Sequence, residues 1–438
     1  MVIIVPATAF TCHFARKHRA RTSTNLSSRQ KSWSEIEGAI FGRQETEPVF
    51  PLSIDSVLDP TTPNFSTYHP TLFRERHGWC PYSERIWLIM ELAQMDYDTV
   101  RIDNTGGPRP SYYAGQTPQM RWPDGRTQGE SMDLLEEIDE HYANGKFRSG
   151  SSDVQAIVAK FSSVFPRARP SSRAAFLFQM NGEPLWERTF EETLRKTDEL
   201  LSDDPNGPFF CGSNLTAADI AWAPFLERYR YQLPCLHDGL DPADGTVYPN
   251  LAKWYLSMDK IPEYACRVKG DASSWRKVLT LAGFGNSGVP PQIQSNMDNL
   301  LLKEETAARE CIDVDLWQAY AKERPYVQSS PRKEAAAIMT RNRDAIVQDI
   351  VKQSSTSAWK STHLPDTMED ADTTLRAMIQ TLWSEEEEDP TPPDDSTAAV
   401  QCLATFLDHR MCVPRDMGPM AAATIKNLAV RLRKATAV

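Results

Sequence analysis

Hydrophobic and polar positions change their spacing along this chain, and the changes predict its domains. The stretch before Trp79 predicts a strand, and residues 83–95 carry apolar positions at helical spacing. Residues 97–103, YDTVRID, alternate apolar and polar side chains, as a half-buried strand does. The first folded region therefore begins with a strand, a helix and a strand, in that order.

A hairpin and one more helix complete this region. QMRW and RTQ stand on either side of Pro123-Asp124-Gly125, a turn sequence that favours a β-hairpin. ESMDLLEEIDEHY follows and predicts a helix. Residues 68–145 are thus expected to form an α/β domain with the element order βαβββα.

The rest of the chain is predicted to be helical. Residues 150–283 contain amphipathic stretches, and within them Thr216 and Asp219 stand at the spacing of a capping box, so we assign Asp219 a structural role. Residues 289–438 form a helical extension. SEEEEDPTPPDDS, residues 384–396, interrupts it with an acidic, proline-rich linker whose composition is typical of disorder.

Composition narrows the functional classes. A chain of 438 residues exceeds the size of a single hydrophobic core, so several domains are expected. The net charge of -11 argues against nucleic acid as the main partner, and no apolar run is long enough for a transmembrane segment. The 8 cysteines form no Cys-x-x-Cys pair and have no His at metal-ligand spacing, so we expect no metal and a reducing compartment.

The N-terminus has the composition of a targeting segment. Residues 1–34 contain no Asp or Glu but six Lys or Arg, among many Ser, Thr and Ala residues. This pattern predicts a transit peptide over residues 1–40, most simply for a plastid, with a mitochondrion or the cytoplasm as alternatives. A basic tail with no targeting role is the other interpretation. Residues 41–67 are treated as an N-terminal extension.

The stretch GWCPYSERIW contains the residue with the clearest chemistry. Pro81 suits the first position of a helix, which places Cys80 at the helix N-terminus. Unpaired backbone N–H groups and the helix dipole favour the thiolate form of a cysteine there. Ser83 stands where a second cysteine would allow an internal disulfide, so an external thiol must resolve a mixed disulfide on Cys80. The alternative is an inert cysteine that only begins a helix.

Three ordered motifs resemble cysteine-type glutathione transferases of the omega, lambda and dehydroascorbate-reductase classes. GWCPYSERIWLIMELAQMDY resembles their first strand and helix, QTPQMRWPDGRTQGES their cis-proline and hairpin segment, and NLTAADIAWAPFLERY the capped helix of their second domain. The resemblance covers residues 68–283. Segments of the tail resemble long glutathione-transferase-like proteins of plastids and cyanobacteria.

The resemblance implies a fold and a set of site residues. It implies a thioredoxin-like domain, then an all-helical C-terminal domain, with glutathione as co-substrate. Cys80 matches the catalytic cysteine. The glutathione-binding positions by resemblance are Ser83, Thr117, Pro118, Glu130 and Ser131, with a cis bond before Pro118 and the γ-glutamyl end held by Glu130 and Ser131.

Two hypotheses follow for function. In the first, the chain is an enzyme, a glutathione-dependent thiol transferase or reductase that uses one cysteine, either to remove glutathione from glutathionylated molecules or to reduce dehydroascorbate. In the second, the fold serves as a non-catalytic binding or scaffold module. The shortened loop YYAGQT, the polar strand QMRW and the long tail, which is suited to a protein partner, motivate the second hypothesis.

Overall fold

The computed structural model describes two compact units of this chain. The described residues are 31–42, 52–104, 106–166, 176–307, 312–360, 362–384 and 397–436. The large unit spans Val49–Glu323 and Met411–Met420, and the small unit spans Met1–Pro48, Arg324–Arg410 and Ala421–Val438. Most of the predicted targeting segment, up to residue 30, and the acidic linker after Ser384 lie outside the described residues.

The large unit contains one mixed β-sheet with the strand order β1-β3-β2-β4-β5. β1 and β2 run parallel to β3, whereas β4 pairs antiparallel with both β2 and β5. The predicted strand before Trp79 and the predicted hairpin are both present, so the βαβββα order is confirmed. The strands are β1 (Ser53–Asp55), β2 (Thr71–Glu75), β3 (Asp98–Ile102), β4 (Gln119–Arg121) and β5 (Thr127–Gln128).

The sheet differs from the sequence prediction in two respects. β1 comes from the segment that we treated as an N-terminal extension, and it adds an edge strand beside β3. β3 was expected to be half-buried, but it lies between two strands and four of its five residues are buried. Strands inside a parallel sheet are covered on both faces, which explains the greater burial.

Helices surround the sheet and continue into an all-helical region of the same unit. Its α-helices are α2 (Pro81–Leu92), α3 (Ser131–His141), α4 (Ser152–Val164), α5 (Glu187–Ser202), α6 (Ala217–Leu236), α7 (Pro249–Met258), α8 (Ala272–Val278), α9 (Pro291–Ala307) and α10 (Val314–Lys322). One hydrophobic core joins the two regions, because Ile86 and Ile89 of α2 pack in the same cluster as Leu226 of α6. Burial of such aliphatic side chains stabilises the unit by about 1.5–3 kcal/mol each.

The capping box at the start of α6 is present. Thr216 donates from its backbone N–H and its hydroxyl to one carboxylate oxygen of Asp219, at 2.9 and 3.0 Å. The other oxygen accepts from the backbone N–H of Phe210 and from the indole of Trp254. Asp219 is fully buried, and its hydrogen bonds fix the start of the helix. Its predicted structural role is therefore confirmed.

The small unit is a helical assembly. It contains α1 (Trp33–Phe41), α11 (Pro331–Arg341), α12 (Arg343–Ser354), α13 (Met368–Trp383), α14 (Thr397–Arg410) and most of α15 (Pro419–Thr436). Buried alanines in α11 allow close packing against α13, where Leu375 and Met378 are fully buried. Among the helices described in both units, none has the length and apolar composition that a membrane crossing requires.

The helix α1 lies within the range that we assigned to a transit peptide. Ser32 and Glu35 form a capping box at its start, and Ile36 and Ile40 are buried. The indole of Trp33 donates to Asp372 of α13 at 2.7 Å, and Arg343 pairs with Glu37. Residues 33–40 of the predicted transit peptide, together with Phe41, thus form a helix of the small unit.

Candidate functional site

Cys80 occupies the N-cap position of α2, as predicted. Its backbone is extended, with φ -79° and ψ 114°, and Pro81 opens the helix. The side chain is half-buried, and the sulfur lies 3.7 Å from the carbonyl oxygen of Thr117. This position sets the thiol at the positive end of the helix dipole and beside the backbone that precedes Pro118.

The Thr117–Pro118 peptide bond is cis, as predicted. The side chain of Thr117 accepts a hydrogen bond of 2.6 Å from Asn104, and Asn104 accepts one of 3.3 Å from Arg109. Arg109 also donates to the carbonyl oxygen of Gly115. Arg109 therefore holds the short loop before Pro118 in place. Its side chain has a structural role there.

Glu130 and Ser131 stand at the start of α3. Glu130 is exposed and adopts φ +59°, a left-handed conformation that costs a residue with a Cβ about 1–3 kcal/mol. Ser131 is buried, and its hydroxyl lies at the helix N-terminus, where unpaired N–H groups attract carboxylates. The strained residue Glu130 thus precedes the first turn of α3 directly. The N–H groups of that first turn are suited to bind a carboxylate.

Arg85 contacts Ser131. No pattern in the sequence marked Arg85 as a residue of the site. Its Nη1 lies 3.4 Å from the Ser131 hydroxyl, and its Nε donates to the carbonyl oxygen of Ala221 in α6 at 2.7 Å. Burial lowers the pKa of Arg85 to about 10, while the nearby Tyr82 and Cys80 raise it, so the guanidinium stays charged at neutral pH. Arg85 is thus a buried cation within electrostatic reach of Cys80.

Ser83 lies one helical turn after Cys80 and is buried. A serine at this position could donate a hydrogen bond back to the sulfur of Cys80. Within the part of the chain that the structure describes, the Ser83 hydroxyl has no hydrogen-bond partner. No such bond to Cys80 is formed there. Its predicted contact with glutathione stays a prediction.

An aromatic cleft adjoins the N-terminus of α2. Its walls include Trp79 and Pro81, which flank Cys80, and Arg228 is its charged residue. The remaining walls are mostly aromatic or aliphatic: Phe176, Leu177, Phe178, Phe225, Tyr229, Val278, Leu279 and Ala282. Such a surface suits an apolar or aromatic group.

Arg228 connects the cleft to a buried acidic pair. Its guanidinium lies 2.8 Å from the carboxylate of Glu84 and donates to the carbonyl oxygen of Trp79 at 3.2 Å. Burial raises the pKa of both Glu84 and Glu227, and Arg228 lowers both. Glu227 also accepts hydrogen bonds from Tyr264 and from other donors. The guanidinium of Arg228 therefore interacts with two neighbouring carboxyl groups, those of Glu84 and Glu227, close to the loop that leads to Cys80.

The other described cysteines differ from Cys80 in their surroundings. Burial raises the pKa of Cys211 and of Cys412 to about 11 and also raises that of Cys402. Cys235 and Cys266 are buried. All six described cysteines are free thiols in this structure. Within the described ranges, no group of three His, Cys, Asp or Glu side chains is arranged to hold a metal ion.

Comparison with known proteins identifies both regions of the large unit. Residues 79–141 match the glutathione S-transferase N-terminal domain, and residues 136–256 match the C-terminal domain. Glutathione S-transferase L2, chloroplastic, of Arabidopsis thaliana is 28% identical over 193 residues, which are 42% of this chain and 62% of that protein. Glutathione S-transferase L3 of the same plant is 25% identical over 219 residues, 48% of this chain and 83% of that protein.

Among solved structures, a dehydroascorbate reductase of Chlamydomonas reinhardtii aligns with 53% of this chain and 99% of its own, at 19% identity and a TM-score of 0.36. The chain spans less than two thirds of the length of the Arabidopsis L2 protein. The helices after residue 289 lie beyond both matched domains. The two domain matches follow each other in the order of the fold described above. Residues 79–256 thus match the models of both domains of the glutathione S-transferase family.

Proposed function

We propose that this chain is a glutathione-dependent thiol transferase that uses Cys80 as its single catalytic cysteine. The observation that carries the proposal is the half-exposed Cys80 at the N-terminus of α2, 3.7 Å from the Thr117 carbonyl and next to an aromatic cleft. Ser83 occupies the position at which a second cysteine would displace glutathione by forming an internal disulfide with Cys80. The chemistry therefore requires an external thiol.

The reaction proceeds in two balanced exchanges. The Cys80 thiolate attacks the glutathione sulfur of a mixed disulfide R–S–S–glutathione, so that the S–S bond breaks and R–S⁻ leaves and is protonated to the thiol R–SH. A second glutathione, as thiolate, attacks the Cys80–glutathione disulfide. Oxidised glutathione leaves and Cys80 returns to its thiolate. The net change is one glutathione and one mixed disulfide converted into one thiol and oxidised glutathione.

The chain's own residues fit the ends of a glutathione molecule. The backbone of Thr117 and Pro118 flanks the sulfur, where it suits the cysteinyl part. Glu130, Ser131 and the first turn of α3 suit the γ-glutamyl end, whose carboxylate favours a helix N-terminus. Arg85 fixes the Ser131 hydroxyl from below. The aromatic cleft then receives the group R of the substrate.

An exchange assay tests this function directly. Wild type and Cys80→Ser are compared for reduction of a glutathionylated peptide by glutathione, and oxidised glutathione is added separately to detect the Cys80 adduct by intact mass. We expect turnover and one adduct in wild type, and neither in the variant. Absence of both in wild type would leave the fold as a binding or scaffold module. Dehydroascorbate, whose reduction oxidises two glutathione molecules, is the second substrate to assay.

Plastid localisation belongs to the same proposal. It is supported by the acid-free, basic composition of residues 1–34 and by the word chloroplastic in the name of the first relative. Because α1 forms part of the small unit, we propose that any removed segment ends before Ser32.

A further inference from the structure

The segment Met411–Met420 follows α14 of the small unit, yet it belongs to the large unit. Lys277 of α8 donates to the carbonyl oxygen of Met411 at 2.8 Å, and Ser274 accepts from the backbone N–H of Val413 at 2.9 Å. Gly418 lies so close to the backbone of Cys266 that a Cβ would come within 1.8 Å of its carbonyl oxygen. We call these ten residues the return segment.

The return segment contacts the three residues before Cys80. The indole Nε1 of Trp79 donates to the sulfur of Cys412 at 3.1 Å, and this thiol donates to the carbonyl oxygen of His77 at 3.3 Å. Arg415 lies 3.0 Å from Nδ1 of His77. A Cβ on Gly78 would lie 3.1 Å from a ring carbon of Pro414, so the loop and the segment are packed against each other.

Cys412 is suited to hold Trp79 because it has both a donor and an acceptor. The side chain is buried, and burial raises its pKa to about 11, so it is a protonated thiol at neutral pH. As a thiol it accepts from the indole and donates to the carbonyl at once. Its backbone N–H donates to Asp416 at 2.6 Å, and Asp416 forms a two-point ion pair with Arg415. The thiol is therefore itself fixed.

Trp79 links these contacts to the reaction. Its ring stacks on His77 at 4.6 Å between centroids, and Trp79 is one of the residues that line the cleft next to Cys80. The carbonyl oxygen of Trp79 accepts from Arg228, which forms another part of the cleft. Positioning of an active-site wall by a residue outside the reaction affects orientation of the substrate and hence the rate.

We propose, resting on the function proposed above, that Cys412 is a positioning residue that holds the Trp79 indole in place and thereby sets which groups react with Cys80. The geometry favours acceptance of aromatic groups, because an ordered indole beside Pro81 extends the aromatic wall of the cleft. We expect small electrophiles to need no contact with that wall. Loss of the Cys412 hydrogen bonds should thus affect aromatic substrates selectively.

The test compares Cys412→Val, which fills a similar volume without hydrogen bonds, with Cys412→Ser, which keeps a donor and an acceptor. The substrate is the mixed disulfide of glutathione and thionitrobenzoate, whose aromatic thiol is released in the first exchange. We expect kcat/KM to fall about tenfold in the valine variant and to stay within about twofold of wild type in the serine variant. Cys402→Ala in α14 is the matched control for loss of a thiol.

A double-mutant cycle tests whether Cys412 affects the rate through Trp79. Trp79→Phe removes the indole N–H, so adding Cys412→Val to it should change the rate by less than about twofold. If the valine variant does not fold, Trp79→Phe alone tests the proposal, because it removes the donor of the hydrogen bond between Trp79 and Cys412. Additive effects of the two substitutions, or a serine variant no better than the valine variant, would overturn the proposal.

A second readout separates this proposal from the proposed function. Cys80 is alkylated with iodoacetamide, which is small, and with monobromobimane, which is aromatic, and neither reaction needs glutathione. Cys412→Val should lower the ratio of the bimane rate to the iodoacetamide rate at least about threefold. If wild type shows no turnover but this ratio depends on Cys412, the proposed function fails and the positioning role stands. An unchanged ratio in an active enzyme would contradict the positioning role alone.

Discussion

The guanidinium of Arg228 lies 2.8 Å from a carboxyl oxygen of Glu84, which is buried one turn into the helix carrying Cys80. The same guanidinium lowers the pKa of Glu227. Burial dominates at Glu84 and raises its pKa from 4.5 to about 8. The site thus contains an acid whose proton is held more tightly in the folded chain than in the unfolded one.

The free energy of unfolding should therefore fall as the pH rises from about 4.5 to about 8. In this window the unfolded chain has released the proton of Glu84 while the folded chain still holds it, with a slope of at most ~1.4 kcal/mol per pH unit. Glu84→Gln should flatten this dependence. Urea unfolding between pH 5 and 8 measures it, with the exposed Glu136→Gln as control. Equal slopes in wild type and Glu84→Gln would contradict the prediction.

Cys80 should be alkylated before the other cysteines. It is half-exposed at a helix N-terminus, whereas Cys211 and Cys412, with pKa values of about 11, are protonated thiols at pH 7. Brief treatment with iodoacetamide at pH 7, followed by peptide mass mapping, gives the order of labelling. Urea-unfolded protein provides the control, since all cysteines should then react at similar rates. A different first site would refute the assignment of Cys80 as nucleophile.

Ser83→Cys should change the fate of the glutathione adduct. The new thiol lies one helical turn from Cys80, within reach of an internal disulfide. After oxidised glutathione is added, wild type should keep one bound glutathione, and the variant should lose it with formation of the disulfide. Intact mass distinguishes the two states. Ser83→Ala is the control and should keep the adduct; loss of the adduct there would show that packing at position 83, and not a second thiol, is responsible.

Ser131→Ala should weaken glutathione binding. The hydroxyl at the start of α3 would otherwise bond a carboxylate, and a hydrogen bond to a charged group contributes about 1.5–3 kcal/mol. We expect KM for glutathione to rise about tenfold or more, with kcat at saturation little changed. Ser152→Ala, in the first turn of α4, is the control. An unchanged KM would remove Ser131 from the glutathione site.

The mature N-terminus should lie before Ser32. Removal of residues up to 40 would delete most of α1, including Trp33, which donates to Asp372, and the buried Ile36. N-terminal sequencing of protein isolated from the source cells locates the processing site. A mature chain that begins after residue 41 would show that α1 is dispensable, and one that begins at Met1 would exclude processing.

Local chemistry made much of the fold predictable. The turn Pro123-Asp124-Gly125 indicated the hairpin, and Gly125 indeed adopts φ +87°. The Thr216–Asp219 spacing indicated the capped helix, because a capping box is a short-range pattern. The same holds for Pro81 at the first position of α2. Each of these features is determined by residues within a few positions of one another.

The missed features depend on distant residues. β1 has three residues, too few to show a period, and is held in the sheet by β3 more than forty positions later. Arg85 was indistinguishable from a solvated side chain of an amphipathic helix, since only α6 shows that it is buried. The contact between Trp79 and Cys412 spans 333 positions. No local pattern carries information about such a contact.

Gly418 gives this architecture a marker that can be read from sequence. Any side chain at that position would collide with the Cys266 carbonyl, and the collision is with backbone, which cannot rotate away. In related genes, a glycine there together with a cysteine six positions earlier would indicate that the tail closes on the transferase region in the same way. A bulky residue at that position would instead exclude this close approach to Cys266. Genome surveys can therefore sort long transferase-like proteins by whether their tails can make this contact, before any of them is purified.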